Sequence, residues 1–244
     1  QVYIGRDAGN KRTTNQHYNI AIGYAAGACS NYPDGNSQDN VAIGRNAAKY
    51  QTGGCNVSLG HLAAACQTSG HHNIALGQCA LVGSANTANN TASCNVTIGM
   101  WAGYDVTSGN DNVFLGTCAG MCATSGTHNI FLGNKAAGGA AVTGSYNVVF
   151  GKDAAYSATS AGCNIILGLK AGKSITAAGN NIFMGCYAGA NLNGTVVSTN
   201  IMIGEHAGKG TAGCTGISNN IFIGRYTGTN IQTASYNVAV GRQA

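Results

Sequence analysis

A five-residue unit that ends in glycine recurs along the whole chain and constrains its fold more than any other feature. The unit reads Asn, Val or Ile, a variable residue, a bulky apolar residue and Gly, and it occurs 14 times in 244 residues. Only the first copy departs from it, with Gln1 in place of Asn. Successive glycines lie 16 to 22 residues apart, most often 17. A unit this short cannot bury a core alone, so the copies must stack on one another.

We number the positions of each repeat from its glycine, which is position 0. Positions −3 and −1 are always apolar, and residues two apart in a strand share one face. We predict that this face points into the core, that Gly at 0 ends the strand, and that Ala at +3 is a small inward residue. The predicted fold is all-β, a parallel β-solenoid (β-roll) of 14 coils in a single domain over residues 1–244.

Position −4 is predicted to be structural. It is Asn in 13 of the 14 copies. Asn side chains on neighbouring coils, spaced about 4.8 Å apart, can form a ladder of hydrogen bonds along the solenoid. The predicted Asn ladder consists of Asn19, Asn40, Asn56, Asn73, Asn95, Asn112, Asn129, Asn147, Asn164, Asn181, Asn200, Asn220 and Asn237.

Position −2 points away from −3 and −1, and therefore outward in this prediction. From the seventh repeat it carries seven large apolar residues in succession: Phe114, Phe131, Val149, Ile166, Phe183, Met202 and Phe222. An exposed stripe of this length would be too apolar to leave in water. We predict that it is a subunit interface at which three parallel chains pack around a common axis. Coverage by a loop of the same chain is the alternative.

The repeats resemble those of known fibrous proteins over essentially the whole chain, and two segments illustrate this. Residues 19–27 (NIAIGYAAG) and 129–133 (NIFLG) resemble the repeats of phage and virus tail-fibre proteins, which often precede a chaperone domain of the endosialidase type. They are also similar to the head repeats of trimeric autotransporter adhesins, although this chain has a longer period and ten cysteines. The resemblance implies a trimeric, parallel β-roll fibre that presents elements for binding a host or a surface.

Groups that could carry catalysis are sparse. Charged residues make up 8% of the chain, and the seven acidic residues show no pair that recurs at a fixed spacing. Asp34 with Asp39 and Asp105 with Asp111 each share one connection, but we expect them to serve turns rather than to act as the paired carboxylates of a glycan hydrolase. His72 and His128 share position −5 but lie three coils apart, too far to share a metal ion. We therefore expect no catalytic residues, no metal and no cofactor. Most of the cysteines are expected to be small buried apolar residues.

Charge and hydropathy also limit the partners. The net charge of +5 comes from scattered basic residues without a dense patch, so we expect no nucleic-acid partner. The longest apolar runs are far shorter than a membrane helix, so we expect no membrane insertion. Four aromatic residues at +1 or +2 could instead stack on sugars. These possible glycan contacts are Tyr24, Trp101, Tyr187 and Tyr226, with ordinary surface contact between coils as the alternative.

These observations favour a structural role. We predict the shaft or head of a viral or phage tail fibre, a homotrimer at the virion surface or outside the cell, that contributes to attachment to a host receptor such as a surface glycan. The alternative is a self-assembling extracellular filament or surface adhesin with a purely structural role. Because the repeats begin and end in register without a polar cap, we expect the domain to be a segment of a longer fibre chain.

Overall fold

The chain forms two compact units, Gln1–Ser125 and Gly126–Ala244, each with seven copies of the repeat. The structure, a computed structural model, describes residues 1–10, 18–28, 37–84, 90–193, 197–211, 214 and 216–244. All the strands in these ranges are two or three residues long, and every pair of them is parallel within each unit. No helix among the described residues has the length and apolarity needed to cross a bilayer.

The first unit contains one three-residue strand per repeat, at positions −3 to −1. Neighbouring strands pair with equivalent positions opposite each other, as Ile74 does with Val57 and Val96. The strands are β1 (Val2–Ile4), β2 (Ile20–Ile22), β3 (Val41–Ile43), β4 (Val57–Leu59), β5 (Ile74–Leu76), β6 (Val96–Ile98) and β7 (Val113–Leu115). The insertions between repeats therefore change the length of the connections but leave the strand register intact.

The second unit repeats this arrangement and adds a second small sheet. Its strands at positions −3 to −1 are β8 (Ile130–Leu132), β9 (Val148–Phe150), β10 (Ile165–Leu167), β11 (Ile182–Met184), β13 (Ile201–Ile203), β15 (Ile221–Ile223) and β17 (Val238–Val240). The second sheet pairs β12 (Val197–Ser198), β14 (Ile217–Ser218) and β16 (Ala234–Ser235) in the same parallel order. The predicted all-β class and parallel β-solenoid architecture are confirmed.

Glycine at position 0 forms the corner of each coil. Gly168 has a φ of +136°, and a Cβ there would lie 2.5 Å from the carbonyl oxygen of Gly185 in the next repeat. No other residue fits such a close approach of two backbones. The chain then turns, with the amide of Ala171 donating to the carbonyl of Gly168 at 3.2 Å. Ala171 is completely buried, as the prediction for Ala at +3 requires.

The two faces of each strand are assigned in the opposite sense to the sequence-based prediction. The seven residues predicted to form a subunit interface are buried inside their own units, with at most 4% of their surface exposed. They are Phe114, Phe131, Val149, Ile166, Phe183, Met202 and Phe222. Positions −3 and −1 point outward, and none of these residues is buried in either unit. The prediction that −3 and −1 form the core was wrong.

Two features explain why position −2 is buried: the cross-section of the coil is small, and successive residues of a strand point to opposite sides. Alternate residues of an extended chain point to the same side, so position −2 follows the Asn at −4 into the interior. In the second unit the large residue at −2, the small alanines and large residues of the connections, such as Ile175 and Leu192, fill that space. A void of only about 10 Å³ remains beside Phe131, Val149 and Ile166.

The Asn ladder forms the polar part of this interior. In a typical step, Nδ2 of Asn181 donates to Oδ1 of Asn164 at 3.0 Å and also to the carbonyls of Gly179 and Val197. Oδ1 of Asn181 accepts from the backbone N and Nδ2 of Asn200, both at 3.0 Å. The side-chain amide of Asn181 is therefore fully hydrogen-bonded, and it pairs both with the neighbouring asparagines and with backbone carbonyls of its own and the next coil. This network is the ladder that the sequence predicts.

Candidate functional site

The outward face of each unit is the most extensive surface feature, and we define it as the first and third residues of the strands at positions −3 to −1. All fourteen positions in the first unit and all fourteen in the second are Val, Ile, Leu, Met or Phe. Several are well exposed, among them Ile74 at 38%, Ile165 at 41% and Phe150 at 57%. A solvated strand face normally carries polar residues, so this composition is typical of a surface that another protein covers.

A column of stacked aromatic rings lies on the second unit. Tyr187, His206 and Tyr226 occupy position +2 of three successive repeats, where the backbone has a φ near +60°. The ring centroids of Tyr187 and His206 are 5.2 Å apart, and those of His206 and Tyr226 are 5.0 Å apart. The planes differ by 1° and 14°, so the rings lie nearly parallel. The stack follows from the coil spacing, which brings equivalent side chains within ring contact.

Basic side chains surround this aromatic column. Nζ of Lys170 donates a hydrogen bond of 3.1 Å to the Tyr187 hydroxyl, and this bond raises the pKa of Lys170. Lys209 also lies over the Tyr187 ring, at 5.7 Å from its centroid. Arg225 lies 4.8 Å from the centroid of Tyr226 and donates to the Glu205 carboxylate at 2.7 Å. The column therefore combines flat apolar rings with hydrogen-bond donors.

A polar cleft of about 500 Å³ adjoins the column. Its lining includes His206, Lys209, Tyr226, Asn191 and Asn230. Rings beside amides and an ammonium group suit a neutral polar ligand with both apolar and hydroxyl faces, as a sugar has.

The structure brings together two of the four predicted glycan contacts. Tyr187 and Tyr226 belong to the same column, whereas Tyr24 and Trp101 lie on the first unit. Tyr24 has the Arg6 guanidinium 5.6 Å from its ring, and Trp101 lines a separate cleft. Sequence reasoning missed His206 as a member of this column. The sequence feature that could have identified His206 is its position, because it occupies +2 in the repeat that lies between the repeats of Tyr187 and Tyr226.

The remaining titratable groups of the described part of the chain include nine cysteines, and they form no metal-binding cluster. No three His, Cys, Asp or Glu side chains lie where they could share a metal ion there. The expectation for the cysteines was wrong for most of those described: only Cys79, Cys118 and Cys214 are buried, and all nine are free thiols. Cys29 and Asp34 lie outside the described residues.

Comparison with known proteins adds no relative. No family model matches the sequence, and no curated protein or solved structure is significantly similar to it.

Proposed function

We propose that this chain is a structural segment of a fibre, in which parallel copies of the chain associate through their outward faces. The fibre would be a homotrimer of the tail-fibre type, located on a virion or outside a cell, and it would contribute to attachment to a host surface. A free filament or an adhesin with the same assembly is the alternative. The proposal gives the chain no catalytic step.

The observation that carries the proposal is the composition of the outward face. It has no polar or charged residue at any of its 28 positions, although the described interior is already filled by position −2, the Asn ladder, small alanines and apolar residues of the connections. A second copy presents the same regular pattern, so apolar contacts can be made at every repeat. The resemblance of segments 19–27 and 129–133 to tail-fibre repeats supports three copies.

Light scattering of the purified chain tests the association directly, and we expect the mass of three copies. Changing Ile74 and Ile98 together to Lys should reduce the mass to that of one chain, because two charges on the outward face cannot be buried without partners. The matched control changes His72 and Cys94, which are exposed at position −5 of the same two repeats, to Lys. A monomeric unmodified chain, or equal effects of the two variants, would contradict the proposal.

The aromatic column favours a second element of the proposal, which is attachment through a saccharide. Tyr187, His206 and Tyr226 offer a continuous ring surface beside the polar cleft. Glycan-array binding of the intact chain, followed by titration of a positive glycan, tests this role. Changing Tyr187 and Tyr226 to Ala should weaken binding by about tenfold or more. Changing Tyr236, which is highly exposed but outside the column, should leave it unchanged.

No glycan binding by the intact fibre would favour the purely structural alternative. Binding that survives loss of both tyrosines would place attachment on another surface. Neither result would bear on association through the outward face, because the two surfaces use different residues.

A further inference from the structure

A second cleft lies on the first unit, away from the outward strand face. It has a volume of about 350 Å³ and is lined by Cys79, Trp101, Tyr104, Asp105 and Met121. These residues come from three successive repeats, those with glycines at positions 77, 99 and 116. Trp101 and Tyr104 are both well exposed, so their rings are available to a ligand in the cleft.

Asp105 is the charged group in this lining. Its backbone amide donates to the carbonyl of Met121 at 2.9 Å, which fixes the residue between two repeats. Within the described residues its carboxylate forms no hydrogen bond and no ion pair. The side chain is only partly exposed, and burial raises the pKa of Asp105. The cleft therefore holds a partly desolvated negative charge without a counter-charge from the protein.

The residues around Asp105 indicate which class of cation could neutralise its charge. Two aromatic rings, the Met121 thioether and the Cys79 thiol are apolar or weakly polar, and they suit a cation that carries its own alkyl groups. A hydrated metal ion would need several oxygen ligands, and the cleft offers a single carboxylate. An anionic ligand would be repelled by Asp105.

We propose that the cleft formed by Trp101, Tyr104, Asp105 and Met121 binds an alkylammonium group, either a quaternary ammonium or a protonated amine. The rings receive the alkyl groups through cation–π contact, and the carboxylate neutralises the charge. This site is independent of the proposed fibre assembly, since it uses no residue of the outward face.

The experiment follows the fluorescence of Trp101, which is the only tryptophan in the chain and lies in the cleft. Choline is the probe, and 3,3-dimethylbutan-1-ol is its neutral isostere. We expect saturable quenching or enhancement by choline, and affinity at least about tenfold lower for the neutral isostere. Asp105→Asn should weaken choline binding by about tenfold or more. The matched control Asp153→Asn, which changes a carboxylate of the second unit, should not.

The pH dependence of choline binding gives a second measurement. Protonation of Asp105 removes the charge that binds the cation, so affinity should fall as the pH drops through the pKa of Asp105, which burial raises. The other titratable groups near Asp105 are a phenol and thiols, which stay neutral in acid: Tyr104, Cys66, Cys79, Cys118 and Cys122. The Asp105→Asn variant should lack this transition.

Two results would overturn the proposal. One is equal binding of choline and its neutral isostere, and the other is unchanged choline binding by a folded Asp105→Asn variant, with folding verified by thermal melting. Binding of a methyl glycoside that is insensitive to Asp105→Asn would assign the cleft to sugars instead. Phosphatidylcholine vesicles, compared with phosphatidylglycerol vesicles, distinguish a lipid headgroup from free choline as the source of the ammonium group.

Discussion

At the scale of single residues, the buried asparagine of position −4 has the most demanding environment. Asn181 donates three hydrogen bonds and accepts two, and its surface is almost fully buried. Its neighbour Asn180 is exposed at position −5. Asn180 and Asn181 are both asparagines, but the first is exposed and the second is buried, so the same substitution at each position gives a matched comparison.

Asn181→Asp should destabilise the chain by about 3–5 kcal/mol at neutral pH, because it places an unpaired carboxylate among three acceptor oxygens. Asn180→Asp should change the stability little. Burial raises the pKa of the introduced carboxyl in the folded state, so the part of the penalty that comes from its charge is absent below the unfolded pKa of about 3.9 and complete above the folded pKa. Urea unfolding of both variants at pH 4 and pH 7 measures this. Equal losses would contradict a buried ladder.

The recurrence of Asn was enough to predict this ladder, but not the contacts at position +2. Tyr187 and Tyr226 were recognised as aromatic residues, whereas His206 belonged to a column that can be seen only once equivalent positions are placed side by side. The cleft at Trp101 depends on Tyr104 and Asp105, at positions +5 and +6. Because these positions vary from repeat to repeat, no periodic pattern marks them.

At the scale of the strand, both faces are apolar, and this explains why the faces were misassigned. In β11 the middle residue Phe183 is buried and its neighbours Ile182 and Met184 are not. The alternation of residues correctly predicts that each strand has two faces, but it cannot show which face is buried when both carry large apolar residues. The available signal was the Asn at −4, since a column of amides that satisfies itself belongs inside and shares its side with position −2.

Two phenylalanines of the second unit, on opposite faces of β11 and β9, test the assignment; the two strands are separated by β10. Phe183→Ala should destabilise the chain by about 3–5 kcal/mol, because it leaves a cavity in a core with one large side chain per strand. Phe150, which is 57% exposed, should lose far less stability as Ala but should weaken self-association. Unfolding midpoints and light scattering measure the two effects. A larger loss of stability for Phe150→Ala would reverse the assignment.

At the scale of the whole molecule, we expect charge to contribute little to stability and to the proposed association of copies. The chain has 19 charged residues, 12 basic and 7 acidic, and the ion pairs among the described residues, such as Arg225 with Glu205, have exposed side chains. Exposed pairs contribute little and are screened by salt. The outward face, by contrast, is apolar at all 28 positions. Association through it should therefore depend on hydrophobic burial.

We expect the mass measured by light scattering to be the same in 0.15 M and 1 M sodium chloride, because salt screens charges but does not weaken apolar contacts. Sodium sulfate, which strengthens apolar burial, should raise the denaturant concentration needed to separate the copies. Dissociation in 1 M sodium chloride would instead point to association through the basic residues.

The uniformity of the outward face has a consequence for alignment. Each repeat presents a similar pair of apolar side chains, so two copies displaced by one coil, about 4.8 Å, would make nearly the same contacts in the proposed assembly. A strictly periodic chain would therefore have many almost equivalent alignments. The unequal spacings between repeat glycines, 21 and 22 residues in the first unit and 19 and 20 in the second, place longer connections at particular repeats. In the proposed assembly, only one alignment would bring the longer connections of all copies to the same level.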